Sequence, residues 1–550
     1  MKVPFSLARP KLKVALSCFA ASIWLNAPAL HAAVDVKIQV EPQSVVSRIS
    51  PDFIGFGYET SAVAQSNYFS ANDTALVQLY RNLSPHGLIR IGGNISDHTR
   101  YEPEGVATVQ TETNVTVINR RNLQDLAGFA HATGWRVMWG LNLGTGSREA
   151  AVREAQAVAG ILSDHLQSFE IGNEVDIHGR YTLKYHDFNS YYSNYLAWKE
   201  SIRAALPSAN FSGPDVAGNL DWLRAFATNE SKNISLLTHH YYRTGAKTAG
   251  ATVENLLKLD DGWQSKLQQL QTISGNDGVP FRINEVNSFY GGGKAGVSDT
   301  FASALWVLDY MFQIATYGGD GVNMETDINQ LGWISHYSPI VHNTNGNCHV
   351  RPEYYGMLAF TMAGRGDLLK LTLDTKAEIN LSAYATRDDR GSLWITVVNK
   401  DLSRDAAVGI ALPPHYAEPE VFRLEAPVIT STNEARLVGA EVSPDGKWTP
   451  GPPQETSVKA GIAEVSVPHV SAVLVCLKSL RQASASKAGR GGEKDRDRRD
   501  TCPTVQGIQS ACRSTTNQAV EFSASPPVIS KSPFGSACVT VLASLPLPNN

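Results

Sequence analysis

Residues 281–326 read FRINEVNSFYGGGKAGVSDTFASALWVLDYMFQIATYGGDGVNMET, and this stretch decides the fold. It opens on a short apolar run, 281–286, that carries Glu285. A helical pattern follows, in which Ser298 is placed to cap, Asp299 suits the first turn, and Gly318-Gly319 stop the helix. A second apolar run, 321–326, comes directly after. Strand, helix, strand at this spacing is a parallel βαβ unit.

Working outward, six more such runs precede it: 53–59 (FIGFGYE), 88–94 (LIRIGGN), 136–142 (RVMWGLN), 168–174 (SFEIGNE), 210–216 and 236–242 (LLTHHYY). With helical patterns between most of them, the total of eight favours a closed (β/α)8 TIM barrel over a doubly wound open sheet. Several runs end in Glu59, Asn94, Asn142, Glu174, Tyr241 or Glu285. In a barrel those C-terminal strand ends converge on the face where chemistry sits. Beyond about residue 365 the pattern turns to short alternating strands, an antiparallel β-sandwich. The segment 34–48 also alternates and is expected to add a strand to that sandwich. The domain reading is therefore a barrel over 49–362, a sandwich over 363–480, and a disordered tail over 481–550, where Ser, Gly, Pro and mixed charges displace any apolar period.

The chain has 550 residues, 48 Lys+Arg against 52 Asp+Glu, and a net charge of −4, which does not advertise nucleic acid or another polyanion as partner. Its 43% hydrophobic residues suit a large core. Residues 1–33 read as an export signal: Lys2, Arg9, Lys11 and Lys13 precede an apolar stretch and then small residues from Ala27 to Ala33. That stretch falls short of the roughly 20 apolar residues a membrane span needs. A secreted or periplasmic location is expected, with no membrane span. Loss of Cys18 with the signal leaves five cysteines, so at least one thiol should stay unpaired. No CxxC, HExxH or EF-hand pattern occurs, and His239-His240 point to opposite faces of a strand, so neither a metal nor a cofactor is expected.

Asn-Glu occurs four times, but only Asn173-Glu174 and Asn284-Glu285 close apolar strands, the fourth and seventh of the eight. The two glutamates are 111 residues apart, which three barrel units of about 31 residues with generous loops can span. Two carboxylates facing one cleft suit hydrolysis of a glycosidic bond: one protonates the departing oxygen while the other attacks or directs attack at the anomeric carbon. Asn173 offers an amide to the sugar 2-hydroxyl. On spacing alone, both glutamates can equally be solvated strand ends.

The segment NEVNSFYGGGKAGVSDTFASALWVLDYM, together with RIGGNISDHTRY, FEIGNE, LLTHHYY and RPEYYGMLAF, resembles glycoside hydrolase family 79, which holds β-glucuronidases and heparanases. The resemblance runs in order over about residues 34–480. It implies a retaining enzyme with Glu174 as acid/base and Glu285 as nucleophile. It implies further that Glu59 and Asn94 meet sugar hydroxyls and that Tyr241 stands near the nucleophile. Tyr290, the Gly291 N–H and Tyr337 would grip the carboxylate of a uronic acid; neutral donors there need no guanidinium desolvated in the empty site. Arg90 is either a neighbour of the nucleophile or structural, and one of His239 and His240 is expected to line the cleft. Within the family, an exo-acting β-glucuronidase is preferred to an endo-acting, heparanase-like enzyme, because a polysulfated chain calls for clustered Lys and Arg. The barrel offers only Arg120-Arg121 as a basic pair. A non-catalytic carbohydrate-binding barrel and a glycosidase of neutral pentoses are the remaining alternatives.

Overall fold

A computed structural model describes residues 33–480 except residue 67 and the segments 111–114, 178–184, 330–331 and 343–347. The expected tail and all but the last residue of the expected export signal lie outside the described residues. All eight sequence-read strands form, and they make one parallel sheet in the order Leu166–Ile171, Arg136–Leu141, Leu88–Gly92, Gly55–Glu59, Gly321–Glu325, Phe281–Tyr290, Leu236–Gly245, Ser212–Val216. The two end strands meet through a parallel bridge between Phe169 and Phe211, where the Phe169 N–H donates to the Asn210 carbonyl over 2.9 Å. The sheet is thus a barrel, and its strands are numbered one to eight below in chain order from Gly55–Glu59.

The helices outside it form for local reasons. Arg120–Thr133 starts in a reciprocal cap between Asn119 and Asn122, ends at Gly134 with φ 81°, and buries Leu123, Leu126, Phe129 and Ala130 on one face. Phe301–Thr316 is apolar nearly all round because two layers cover it. One is the barrel and the other is the second sheet, whose Tyr384 stacks on Phe312 at 4.7 Å and donates to Asp309 over 2.7 Å. Lys400 closes the same contact with a buried ion pair to Asp309 at 2.6 Å. This helix begins at Phe301, not at the expected Ser298 cap. The Ser298 hydroxyl instead accepts from Ser288 at 2.8 Å and from the Lys294 N–H at 2.9 Å, which ties the YGGG turn back to strand seven.

The second domain is one curled sheet. Strand Val34–Arg48 sits in its middle, antiparallel to Asp367–Thr375 and, unlike the rest, parallel to Ala406–Ala411. Val36, Ile38, Val408 and Val465 from one half pack in a single core with Ile395, Val397, Val473 and Val475 from the other. Alternating side chains fill that core from both sides, as in a sandwich. Among the described residues, no helix is long and apolar enough to cross a membrane. Cys348 is a buried free thiol.

One buried carboxyl makes a stability prediction. Glu154, on helix Arg148–Leu162, accepts from the Trp139 indole N–H over 2.8 Å, and burial pushes it up to about 7. The folded protein then holds a proton that the unfolded chain releases above its ordinary value of 4.5. Stability from this group is therefore lost as pH rises from about 4.5 to 7, on the order of 3 kcal/mol in all. Glu154→Gln should raise the unfolding temperature at pH 8 and leave it unchanged near pH 4, as scanning calorimetry at the two pH values would read.

Candidate active site

Glu174 stands just past strand four with φ 47°, in the left-handed region that few non-glycine residues adopt. Glu285 lies on strand seven, where a bulge interrupts the register: His239 pairs with Ile283 but His240 pairs with Glu285. Strand alternation would send Asn284 and Glu285 to opposite faces, and the bulge turns both inward. Asn284 donates to Glu170 (2.8 Å) and Asp215 (2.7 Å) within the barrel. Glu285 rises into the cleft.

There the two glutamates meet. One oxygen of each and Nδ1 of His240 all lie within 4.8 Å of one another, with His240 3.4 Å from Glu174 and 3.6 Å from Glu285. Both carboxyls are nearly buried, at 7% and 6% exposure. These three atoms are close enough to chelate a cation, but Arg90 already brings its positive charge to 2.8 Å from Glu285 Oε2. The Tyr242 hydroxyl donates to Glu285 Oε1 over 3.0 Å. Burial works against ionisation of Glu285, yet His240, Arg90 and Tyr242 outweigh it and hold the carboxyl below the usual glutamate value.

Arg90 is the hub beneath the pair. Its guanidinium reaches Glu170 (3.1 Å), Asp215 (3.2 Å), Glu285 (2.8 Å) and the Asn173 amide oxygen (2.6 Å). Burial and the nearby Asp215 charge raise the Glu170 carboxyl above the usual range. A protonated Glu170 leaves the single guanidinium charge to Asp215 and Glu285, which suits an anionic Glu285.

The other sequence-predicted residues fall as follows. Asn173 Nδ2 donates to Asn94 Oδ1 over 3.3 Å, and Glu59 Oε2 accepts from the Ile95 N–H over 2.8 Å, so strands one, two and four bring Glu59, Asn94 and Asn173 to one rim. Tyr290 lies over Gly245 and is 57% exposed, while Tyr337 is buried. Both rings flank Tyr242, at 6.3 and 6.1 Å. Gly291 sits at φ 82°, and among the described residues its N–H donates to no backbone acceptor. Tyr241 is the correction: its hydroxyl donates to Asp260 over 2.9 Å and its ring packs on Trp263 in the outer layer. The tyrosine at Glu285 is its neighbour Tyr242, because on this strand the inward residues are His240 and Tyr242. His239, correspondingly, packs outward against Trp263 at 5.6 Å. Tyr242→Phe should lower kcat/KM about 10- to 100-fold, the worth of a hydrogen bond to a charged group. Tyr241→Phe should leave it within about threefold, since it removes one such bond far from the cleft; steady-state kinetics of the two variants checks the assignment.

None of the family models compared with the chain matches it. Solved structures share its architecture: a 4-O-α-L-rhamnosyl-β-D-glucuronidase from Fusarium oxysporum covers 80% of this chain and 99% of its own, with TM-score 0.62 and 17% identity. A family 51 α-L-arabinofuranosidase from Bifidobacterium longum covers 81% and 100%, with TM-score 0.61 and 15% identity. With two buried carboxyls facing each other over strands four and seven, the chain is a glycoside hydrolase of the retaining barrel type. More particularly, its similarity is to the β-glucuronidases and heparanases of glycoside hydrolase family 79. It is 25% identical to a β-glucuronidase of Aspergillus niger over 420 residues, which is 68% of this chain and 72% of that one. It is also 23% identical to mouse heparanase over 68% of this chain and 80% of that one.

Proposed function

We propose that the protein is an exo-acting retaining β-glucuronidase that removes terminal β-linked glucuronic acid from glycans or glycosides. The observation that carries the retaining mechanism is that one oxygen of Glu174 and one of Glu285 lie within 4.8 Å of each other. Retaining enzymes keep their carboxyls about 5–5.5 Å apart, whereas inverting ones leave about 6.5–9.5 Å for a water. In the first step Glu285 bonds to the anomeric carbon while the glycosidic C–O bond breaks and Glu174 gives its proton to the leaving oxygen. In the second, Glu174 takes a proton from water, the water oxygen bonds to the same carbon, and Glu285 departs. Two inversions retain the β configuration.

The environments divide the roles. Arg90, Tyr242 and His240 favour the anion at Glu285, as a nucleophile needs. Arg90 gives its hydrogen bonds to Glu170, Asp215, Glu285 and Asn173, and the reading assigns the proton to Glu174 across the cleft. Asn173, with one amide hydrogen turned to Asn94 and its oxygen held by Arg90, has its second hydrogen for the sugar 2-hydroxyl. Tyr290, the Gly291 N–H and Tyr337 would take the uronate carboxylate. The glucuronide is supported by the β-glucuronidases among the relatives.

Similarity to mouse heparanase, and at 22% identity to a hyaluronoglucuronidase of Hirudo nipponia, favours a second, endo-acting reading. Against it, Arg120 and Arg121 pair with Glu104 and Asp125 at the surface, and Arg90 is committed to carboxylates inside the barrel. Initial rates on an aryl β-glucuronide, an aryl β-glucoside and a heparan oligosaccharide separate the readings. The exo reading expects the first to be cleaved at least about tenfold faster than the second, from the worth of a hydrogen bond to the charged carboxylate. Internal cleavage of the oligosaccharide would establish the endo enzyme, and a preference for the glucoside would overturn both.

A further inference from the structure

Strand eight stands between strands seven and one, so its last residue, Glu325, lies between Glu285 and Glu59. Its register partner is Gly57. A Cβ at Gly57 would stand 2.6 Å from Glu325 Oε2, so the glycine makes room for the carboxyl against the strand-one backbone. The side chain is 4% exposed, and among the described residues no donor reaches Oε2. Arg90 spends its hydrogen bonds on Glu170, Asp215, Glu285 and Asn173, and none on Glu325. The groups facing Glu325 are Glu285 from strand seven, Glu59 from strand one, Arg90 from strand two, Tyr242 from strand six and Tyr337 beyond strand eight. A third buried carboxylate without a donor, beside two others, would be costly as an anion. Burial and the charges of Glu285 and Glu59 push it well above the ordinary glutamate value.

We propose that Glu325 is a sugar-binding residue of this cleft, a neutral carboxylic acid that donates a hydrogen bond to a ring hydroxyl of the uronate. This rests on the glucuronide reading above, and it sharpens it. An anionic sugar would be repelled by a third ionised carboxylate in the wall, whereas a neutral acid supplies a donor without charge. The hydroxyl of a protonated carboxyl also accepts, so it can serve a sugar hydroxyl in either direction.

The test uses the full chain and glucuronic acid as the probe, with affinities from titration calorimetry at pH 6 for wild type, Glu325→Gln and Glu325→Ala. Glutamine keeps a neutral donor, so its affinity should stay within about threefold of wild type. Alanine should bind about 5- to 10-fold more weakly, the net worth of one neutral hydrogen bond. The infrared spectrum of the wild type minus that of Glu325→Gln should carry a protonated-carboxyl C=O band at neutral pH, a signature that a purely structural role does not require. Glu325→Gln binding about tenfold tighter would mean that an ionised carboxylate had been removed, and would overturn the proposal. So would wild-type affinity in a folded Glu325→Ala, or absence of the infrared band. Should the alanine variant not fold, the glutamine variant and the band still decide. Failure of the glucuronide reading looks different: the wild type itself would neither bind glucuronic acid nor cleave the aryl β-glucuronide.

Discussion

Glu285→Gln should abolish turnover of an aryl β-glucuronide, lowering kcat/KM by roughly 10⁴- to 10⁶-fold, the scale on which loss of a covalent nucleophile is felt. The change is close to isosteric. Arg90 can still donate to the amide oxygen while the amide nitrogen donates to the Tyr242 hydroxyl, and Arg90 keeps Asp215 at 3.2 Å as an ionic partner, so the unfolding temperature should move little. What disappears is the anion that forms the glycosyl–enzyme bond. Glucuronic acid should still bind, because the groups proposed to hold the sugar are untouched. Measured turnover above about 1% of wild type would move the nucleophile elsewhere, since side chains acting as one unit do not survive loss of a member. The cleft offers few substitutes. Glu59 is held by the Ile95 N–H, and Glu325 sits where its neighbours disfavour the charge a nucleophile needs.

The eight barrel strands were legible because each is a short apolar run between helical patterns, and a closed parallel barrel is what eight such units make. The two glutamates were legible as the polar ends of two of those strands. The error at Tyr241 came from naming a strand end without following its parity. His240 and Tyr242 share a face by the period of two, and that face is the cleft. The bulge at Asn284 could not be read at all: a count along the strand puts Asn284 and Glu285 on opposite sides, and only pairing with the neighbouring strand turns them together. Arg90, Glu170, Asp215 and Asn284 come from four different strands, so their network is non-local. Its signal in the sequence was a set of charged residues inside runs such as LIRIG, SFEIG and SGPDV, which a buried strand tolerates only when the charges meet. Glu325 ends strand eight in the same way as Glu59 ends strand one, and a run carried one residue further, to Thr326, hides it. Ser298 looked like a cap because it precedes a helical pattern, but its hydroxyl serves the YGGG turn, a tertiary contact that outweighs local preference.

Glu174→Ala should divide substrates by their leaving groups. With a poor leaving group the glycosidic oxygen cannot depart without a proton, so kcat/KM should fall about 10²- to 10⁴-fold, the usual contribution of general acid help. With a strongly activated aryl group, departure needs no proton, and the first step should fall by less than about tenfold on the same scale. The second step then becomes slow, because no base at position 174 takes the proton from water. The glycosyl–enzyme at Glu285 should accumulate, visible as a burst of aryl alcohol followed by slow turnover. Azide needs no base, and removal of the Glu174 side chain opens room beside the anomeric carbon. Added azide should therefore raise the steady rate and yield the β-configured glycosyl azide, because attack comes from the face that Glu174 occupied. Equal losses for both leaving groups would take the acid role from Glu174, and an α-configured azide would place attack on the opposite face. His240, whose Nδ1 is 3.4 Å from Glu174 and 3.6 Å from Glu285, would then be the next group to test.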